Sequence, residues 1–98
     1  MKIDCKIKSI LEARSGETKE GKQWYSQPIV VEWQESKTRS DGSIYAVDQS
    51  LLIEITGDKA KSFTLPIGTN VSIDIRFETR DWEGKTFNTI RSGFIILR

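Results

Sequence analysis

On either side of Glu83-Gly84 the chain sets Arg76, Glu78, Arg80 and Trp82, then Lys85, Phe87, Thr89 and Arg91, at every second position. Cations and flat rings spaced in this way suit one kind of chemistry. A guanidinium holds a phosphate through its planar fork. An exposed ring gives a base a platform, at roughly 1–3 kcal/mol per base whatever the sequence. A surface with both can follow a single strand of nucleic acid without reading it. Cross-strand Arg and aromatic pairs on a solvated sheet face would explain the same residues. The density of Arg, with Glu78 as the one acid among them, favours a binding surface.

Two strands must position these side chains. Val71 to Leu97 reads as a hairpin whose two-residue loop, Glu83-Gly84, suits a type I′ turn. Counting outward pairs Trp82 with Lys85, Arg80 with Phe87, Glu78 with Thr89 and Arg76 with Arg91. Opposed residues share a face and successive residues alternate. The basic-aromatic set therefore occupies one face. Val71, Ile73, Ile75, Phe77, Ile90, Ser92, Phe94 and Ile96 are expected on the other, as a core face. A slip of one residue would mix the two sets.

The rest of the chain supplies the layers that such a face needs. Ile3, Cys5, Ile7, Ser9 and Leu11 alternate with charged or polar residues as a half-buried first strand. A polar turn bracketed by Gly16 and Gly21 leads into a second strand, WYSQPIVVEW. Pro28 has no N–H to donate, which predicts an edge or a bulge there. Trp24 and Tyr25 open this strand beside Lys19 and Lys22; one ring is expected outside and the other inside, with Trp24 the preferred outward one. Trp33 suits a barrel cap and a stacking platform equally. Gln34 to Ser43 is polar, contains Asp41-Gly42, and is expected to be a mobile connection whose Lys37 and Arg39 could fold over a ligand. Tyr45 to Ile55 alternates as a third strand, firmest from Leu51 to Ile55. Gly57 to Phe63 has room for about two helical turns, with Lys59 and Lys61 as plain surface residues. The last two strands follow.

Five strands with a short helix between the third and fourth is the order of the OB-fold, an all-β barrel. A five-stranded SH3-like barrel would carry only a 3₁₀ turn, placed before its last strand. An immunoglobulin-like sandwich needs more strands. With 98 residues there is room for one domain, residues 1–98, and one core.

Composition narrows the function classes. The net charge of +1 means that any basic surface comes from segregation of charge, not from excess. There is no His, so the commonest general base and metal ligand are missing. Cys5 is alone, which excludes an internal disulfide and a thiolate cluster; its alternating context reads as a small core residue. No carboxylate pair has a spacing defined for acid–base work, and no phosphate-cradling Gly-rich loop precedes a helix. The expectation is a non-enzyme without metal or cofactor. No run of about 18 apolar residues predicts a membrane span, and Met1 to Ile10 lacks a signal-peptide core. A cytoplasmic location follows, in a bacterial cell or a phage-infected host.

Several pieces together resemble a known family: Ser15-Gly16 with Gly21-Lys22-Gln23-Trp24, Gly57-Asp58-Lys59, Gly68, and Arg80-Asp81-Trp82-Glu83-Gly84-Lys85 with Thr89-Ile90-Arg91. The chain looks like the small bacterial and phage proteins of domain of unknown function 3127, themselves similar to single-stranded-DNA-binding OB-fold proteins. The resemblance covers nearly the whole chain, and the last hairpin is its most specific part. It implies nucleic-acid binding, in keeping with the residue chemistry. The expected site comprises Lys22, Trp24, Lys37, Arg39, Arg76, Arg80, Trp82, Lys85, Phe87 and Arg91. The expected ligand is single-stranded DNA, taken without sequence preference during replication or recombination. RNA is the neighbouring possibility, since only contacts to the 2′-OH separate the two. An OB module that grips a protein partner with the same surface is the rival reading. One small domain offers limited surface, which makes a homo-oligomer plausible.

Overall fold

The computed structural model describes the backbone of all 98 residues and the side chains of all but Arg80 and Trp82. In order along the chain come β1 (Lys2–Ile10), β2 (Arg14–Glu17), β3 (Gln23–Thr38), β4 (Ile44–Thr56), α1 (Asp58–Lys61), β5 (Asn70–Trp82) and β6 (Lys85–Leu97). Five strands close a barrel, β1-β5-β6-β4-β3 and back to β1, while β2 lengthens the sheet beside β3. Every pairing is antiparallel except β4 with β6, which meet through one parallel bridge, Glu54 with Arg91. This is the OB barrel expected from the strand order, with its helical piece between the third and fourth barrel strands, β4 and β5.

Alternation puts Cys5, Ile7, Ile29, Val31, Ile53, Ile55, Val71, Ile73 and Ile75 inside, and Ala60 of the single-turn helix caps them. Branched side chains suit strand interiors because their restricted χ1 costs little there. Burial pushes the Cys5 thiol up to about 11. It is a packed core residue, not a nucleophile.

Pro28 sits where the expected irregularity is. Strand β1 leaves β3 after the Ile10–Ile29 pair, and β2 joins it only at Arg14–Ser26. Pro28 falls in the gap, and its carbonyl accepts from the Leu11 N–H at 3.1 Å. The Gln27 amide bridges the same gap by donating to the carbonyls of Leu11 and Pro28. The polar turn expected here is shorter than the sequence suggests, because Arg14 to Glu17 pairs with Gln23 to Ser26.

The β5–β6 hairpin keeps the expected register from Arg76–Arg91 to Trp82–Lys85. Glu83 and Gly84 both have positive φ, 49° and 75°, as a type I′ turn requires. Three core-face expectations fail. Phe77 is 65% exposed at the margin of the barrel, although Ile90 opposite it is half-buried against the core as expected. Phe94 and Ile96 are exposed by 46% and 51% because of a bulge. Ile75 faces Ser92 but Ile73 faces Ile95, so Gly93 and Phe94 together oppose Asp74. One extra residue reverses the facing of all that follows. Ile95 turns inward against the core in place of Ile96.

The expected connection from Gln34 to Ser43 is also corrected. Gln34 to Thr38 continues β3 and pairs with Ile44 to Asp48 without a break in register. Only residues 39–43 form the turn. The Ser43 N–H and hydroxyl both donate to Asp41 Oδ1, and Gly42 takes φ 89°. Backbone pairing and this Asx turn extend the ladder through residues whose polarity suggests a loop.

Candidate functional site

On the outer wall of the barrel the residues between the core positions line up across strands. Ser26 opposes Thr56, Pro28 opposes Glu54 and Val30 opposes Leu52 on β3 and β4. Across the seam, Arg91 stands beside Glu54, with Thr89 two residues along β6. Arg14 of β2 lies opposite Ser26. Together with Trp24 these residues, Val30 excepted, line an open cleft of about 1280 Å³. Its floor is mixed: Leu52 and Pro28 are apolar, Ser26, Glu54 and Thr89 polar. Cations stand on two sides.

Trp24 is outward, as expected, and 44% exposed. It faces Gly16 across the β2–β3 pair, and its indole lies flat over that glycine. A Cβ at position 16 would come within 2.8 Å of the ring, so only glycine lets the indole settle there. The ring thus packs on one side against the Gly16 backbone and leaves the other open. Tyr25 packs inward against the core. Its hydroxyl donates to Gln23 Oε1 at 2.7 Å, and the Lys61 ammonium stands 5.4 Å from its ring centre. Trp33 also packs against the core, settling its two readings in favour of the barrel.

Arg91 is held more firmly than a surface cation. Its side chain is half-buried, and Nε lies 3.2 Å from Glu78 Oε2. The buried Nε makes no hydrogen bond, so the contact with Glu78 is a Coulombic pairing without aligned N–H geometry. Arg76 is more open, with Nε 3.7 Å from Asp74 Oδ2, and borders a smaller depression with Lys59 and Phe94.

The remaining expected residues fall into separate groups. Lys22 is exposed in the turn before β3, where the Lys22 N–H donates to Thr18 Oγ1. Lys85 and the half-exposed Phe87 lie along the β5–β6 arm. Arg80 and Trp82 are placed by register opposite Phe87 and Lys85; their side chains lie outside the described residues. Lys37 alternates with Val31 and Trp33, on the ladder face opposite to Glu54 and Ser26. Arg39 stacks over Tyr45 at 4.6 Å. The cleft therefore joins Trp24 and Arg91 of the expected set, and leaves Lys37 and Arg39 on another face. It adds Arg14, Leu52 and Glu54. Leu52, Glu54 and Thr56 are the alternate positions to Leu51, Ile53 and Ile55, so their facing was readable. Arg14 gave no signal, since Arg-Ser-Gly-Glu has no apolar alternation.

The sequence model of the family described as Domain of unknown function (DUF3127) matches residues 2–94. A search of curated proteins finds no sequence relative. Among solved structures, a deletion mutant of the single-stranded DNA binding protein from Thermus aquaticus superposes with a TM-score of 0.76 at 18% identity, over 99% of this chain and 48% of the other. The wild-type form of that protein gives 0.73, with the same identity and coverage. The chain thus spans about half the length of the Thermus protein. The small single-stranded DNA-binding protein from Streptomyces coelicolor gives 0.56 at 11% identity, over the whole of this chain and 90% of the other. At these identities the likeness is one of fold.

Proposed function

This chain belongs to the DUF3127 family, whose description names no activity, and we propose from its cleft that it binds single-stranded DNA with little sequence preference. The observation that carries this reading is the cleft itself, which a half-exposed indole seated on Gly16 lines together with the half-buried Arg91 and with Arg14 of β2. The ring supplies a stacking platform and the cations meet the phosphates. The β5–β6 arm, with Lys85 and Phe87 and the sequence positions of Arg80 and Trp82, extends the surface beyond the barrel. The fold likeness to proteins named as single-stranded DNA binding supports the reading. The proposed role is protection of single strands during replication or recombination, without catalysis. One barrel of this size spans about 4–16 nucleotides, so self-association would lengthen the site.

Titration of fluorescent oligo-dT, oligo-dA, oligo-U and a duplex at two salt concentrations tests this. Single strands should bind more tightly than duplex. Log K should fall with log salt by about 0.7 for each phosphate neutralised. The exposed Phe77 favours a second reading, a protein-binding module. Salt-insensitive behaviour, or no binding to any single strand, would move the balance to that reading.

A further inference from the structure

Phosphate recognition calls for a lining without negative charge, yet two carboxylates line the cleft, Glu12 between β1 and β2 and Glu54 on the wall of β4. Glu54 is half-buried on β4, between Pro28 of β3 and Arg91 of β6. Its Oε1 accepts from the Ser26 hydroxyl at 3.0 Å. Among the described residues no cation lies within 4 Å of it, since Arg91 pairs with Glu78 instead. Glu54 is therefore not paired with a cation among the described residues, and Ser26 orients it. Ser26 holds one oxygen and leaves the other for a ligand.

An ionised carboxylate only accepts hydrogen bonds. It repels a phosphate, so the backbone of a bound strand would run along the Arg14 and Arg91 sides while base edges face the floor. Bases differ in what they show to such an acceptor. Cytosine and adenine carry an exocyclic amino donor at C4 and C6, and guanine one at C2; thymine and uracil offer only the ring N3–H, flanked by two carbonyls that a carboxylate repels. Unstacked bases in a single strand expose these edges to side chains. We infer that Glu54, oriented by Ser26, biases the cleft toward amino-bearing bases over thymine at one position of an otherwise sequence-tolerant site. The inference rests on the strand-binding reading above and adds a base preference to it.

Thymine and 5-methylcytosine are the sharpest pair of probes. They share the ring and the methyl group, and differ at the 4-carbonyl against the 4-amino group and in the proton on N3. Competition between 16-mers of 5-methyl-dC and of dT, at one salt concentration and pH 8, should show the 5-methyl-dC strand bound about 5- to 20-fold more tightly. In Glu54→Gln the side chain donates as well as accepts, so the ratio should fall to about one, mainly through tighter dT binding. Glu54→Asp keeps the charge but withdraws it by one methylene, and the ratio should drop between these values. Thermal melts check folding, and Glu54→Asp carries the comparison if Glu54→Gln does not fold. Equal binding of the two strands by the parent would overturn the base preference while leaving strand binding intact. A preference that survives in Glu54→Gln, or in Glu54→Asp at full size, would overturn the assignment to Glu54. Binding of neither strand would remove the strand-binding reading and this inference with it.

Discussion

In the barrel half of the β5–β6 hairpin Val71, Ile73 and Ile75 are sealed from solvent; two residues on, with the same facing, Phe77 is mostly exposed. The alternation along β5 is the same on both sides of this boundary, although its pairing with β6 carries the bulge between Ile73 and Ile75. What changes is the second layer. Ile73 and Ile75 pack in one cluster with core residues of β1, β3 and β4; Phe77 does not join it, and only its partner Ile90 reaches the cluster's edge. Alternation in sequence tells which side chains share a face. Burial depends on whether another element reaches that face, which is a property of strand lengths elsewhere in the chain. The hairpin thus divides into a half packed in the core and a half left to solvent.

The largest effect should separate the halves by stability. Ile73→Ala empties space in a close-packed core and should cost about 2–5 kcal/mol. Phe77→Ala should stay within about 0.5 kcal/mol. Urea titration of both variants measures the difference, and equal losses would erase the boundary. The next effect concerns binding, and rests on the proposed function. Trp24→Ala in the cleft and Phe87→Ala on the arm should each lower affinity for oligo-dT by about 1–3 kcal/mol with an unchanged salt slope. Arg91→Ala should make the slope shallower by about 0.7. If Phe87→Ala binds like the parent, the arm takes no part.

A smaller effect probes the bulge that turns Ile95 inward. A methyl group on Gly93 would meet Asp74 Oδ2 at 2.6 Å, and the Lys59 ammonium already holds the Gly93 carbonyl at 2.9 Å. Gly93→Ala should cost about 1–2 kcal/mol. Asp74→Ala in the same chain should return part of that loss, and a double-mutant cycle measures the coupling. Additive losses would place the strain elsewhere than in Asp74.

The smallest effect lies at the tip of the other arm. Hydrogen bonds from the Ser43 hydroxyl and N–H hold the Asp41 carboxyl below its ordinary range. Its folded value is thus lower than its unfolded one. The contribution is complete above the unfolded value and is lost as pH falls through the folded one. Acid titration followed by NMR should show Asp41 titrating below the exposed carboxylates, and Ser43→Ala should bring it back toward them. Such a change at the tip should leave the barrel signals in place.

The fold was readable because most barrel strands carry their own alternation, the run Ile29-Val30-Val31 of β3 excepted, and the Glu83-Gly84 turn fixes a register by counting. Phe94 and Ile96 were misplaced because a bulge is one residue of slack, and Ser-Gly-Phe marks its glycine but not the facing beyond it. Gln34 to Thr38 was misread because polar residues pair through the backbone as well as apolar ones do. Of the expected site, Trp24 and Arg91 meet in one cleft because alternation placed each on the outer wall. Lys37 does not, since its facing depends on a strand that the polarity concealed. Glu54 went unremarked because an acid on a basic surface looks like solvated filler until its neighbours are known.

One feature of the topology also sets when this chain can fold. Strand β1 is zipped on one side to Ile29–Glu32 and on the other to Asn70–Asp74, while the β4–β6 seam waits for Arg91. A chain emerging from the ribosome can form the β3–β4 hairpin early, since its partners are close in sequence. Closure of the barrel needs contacts between residues some seventy positions apart, and the loop entropy must be lost before those contacts are gained. Until then the apolar sides of β1 and β3 are without cover. Folding on the millisecond-to-second scale is expected of such non-local architecture, with closure after synthesis of β6 as its final event.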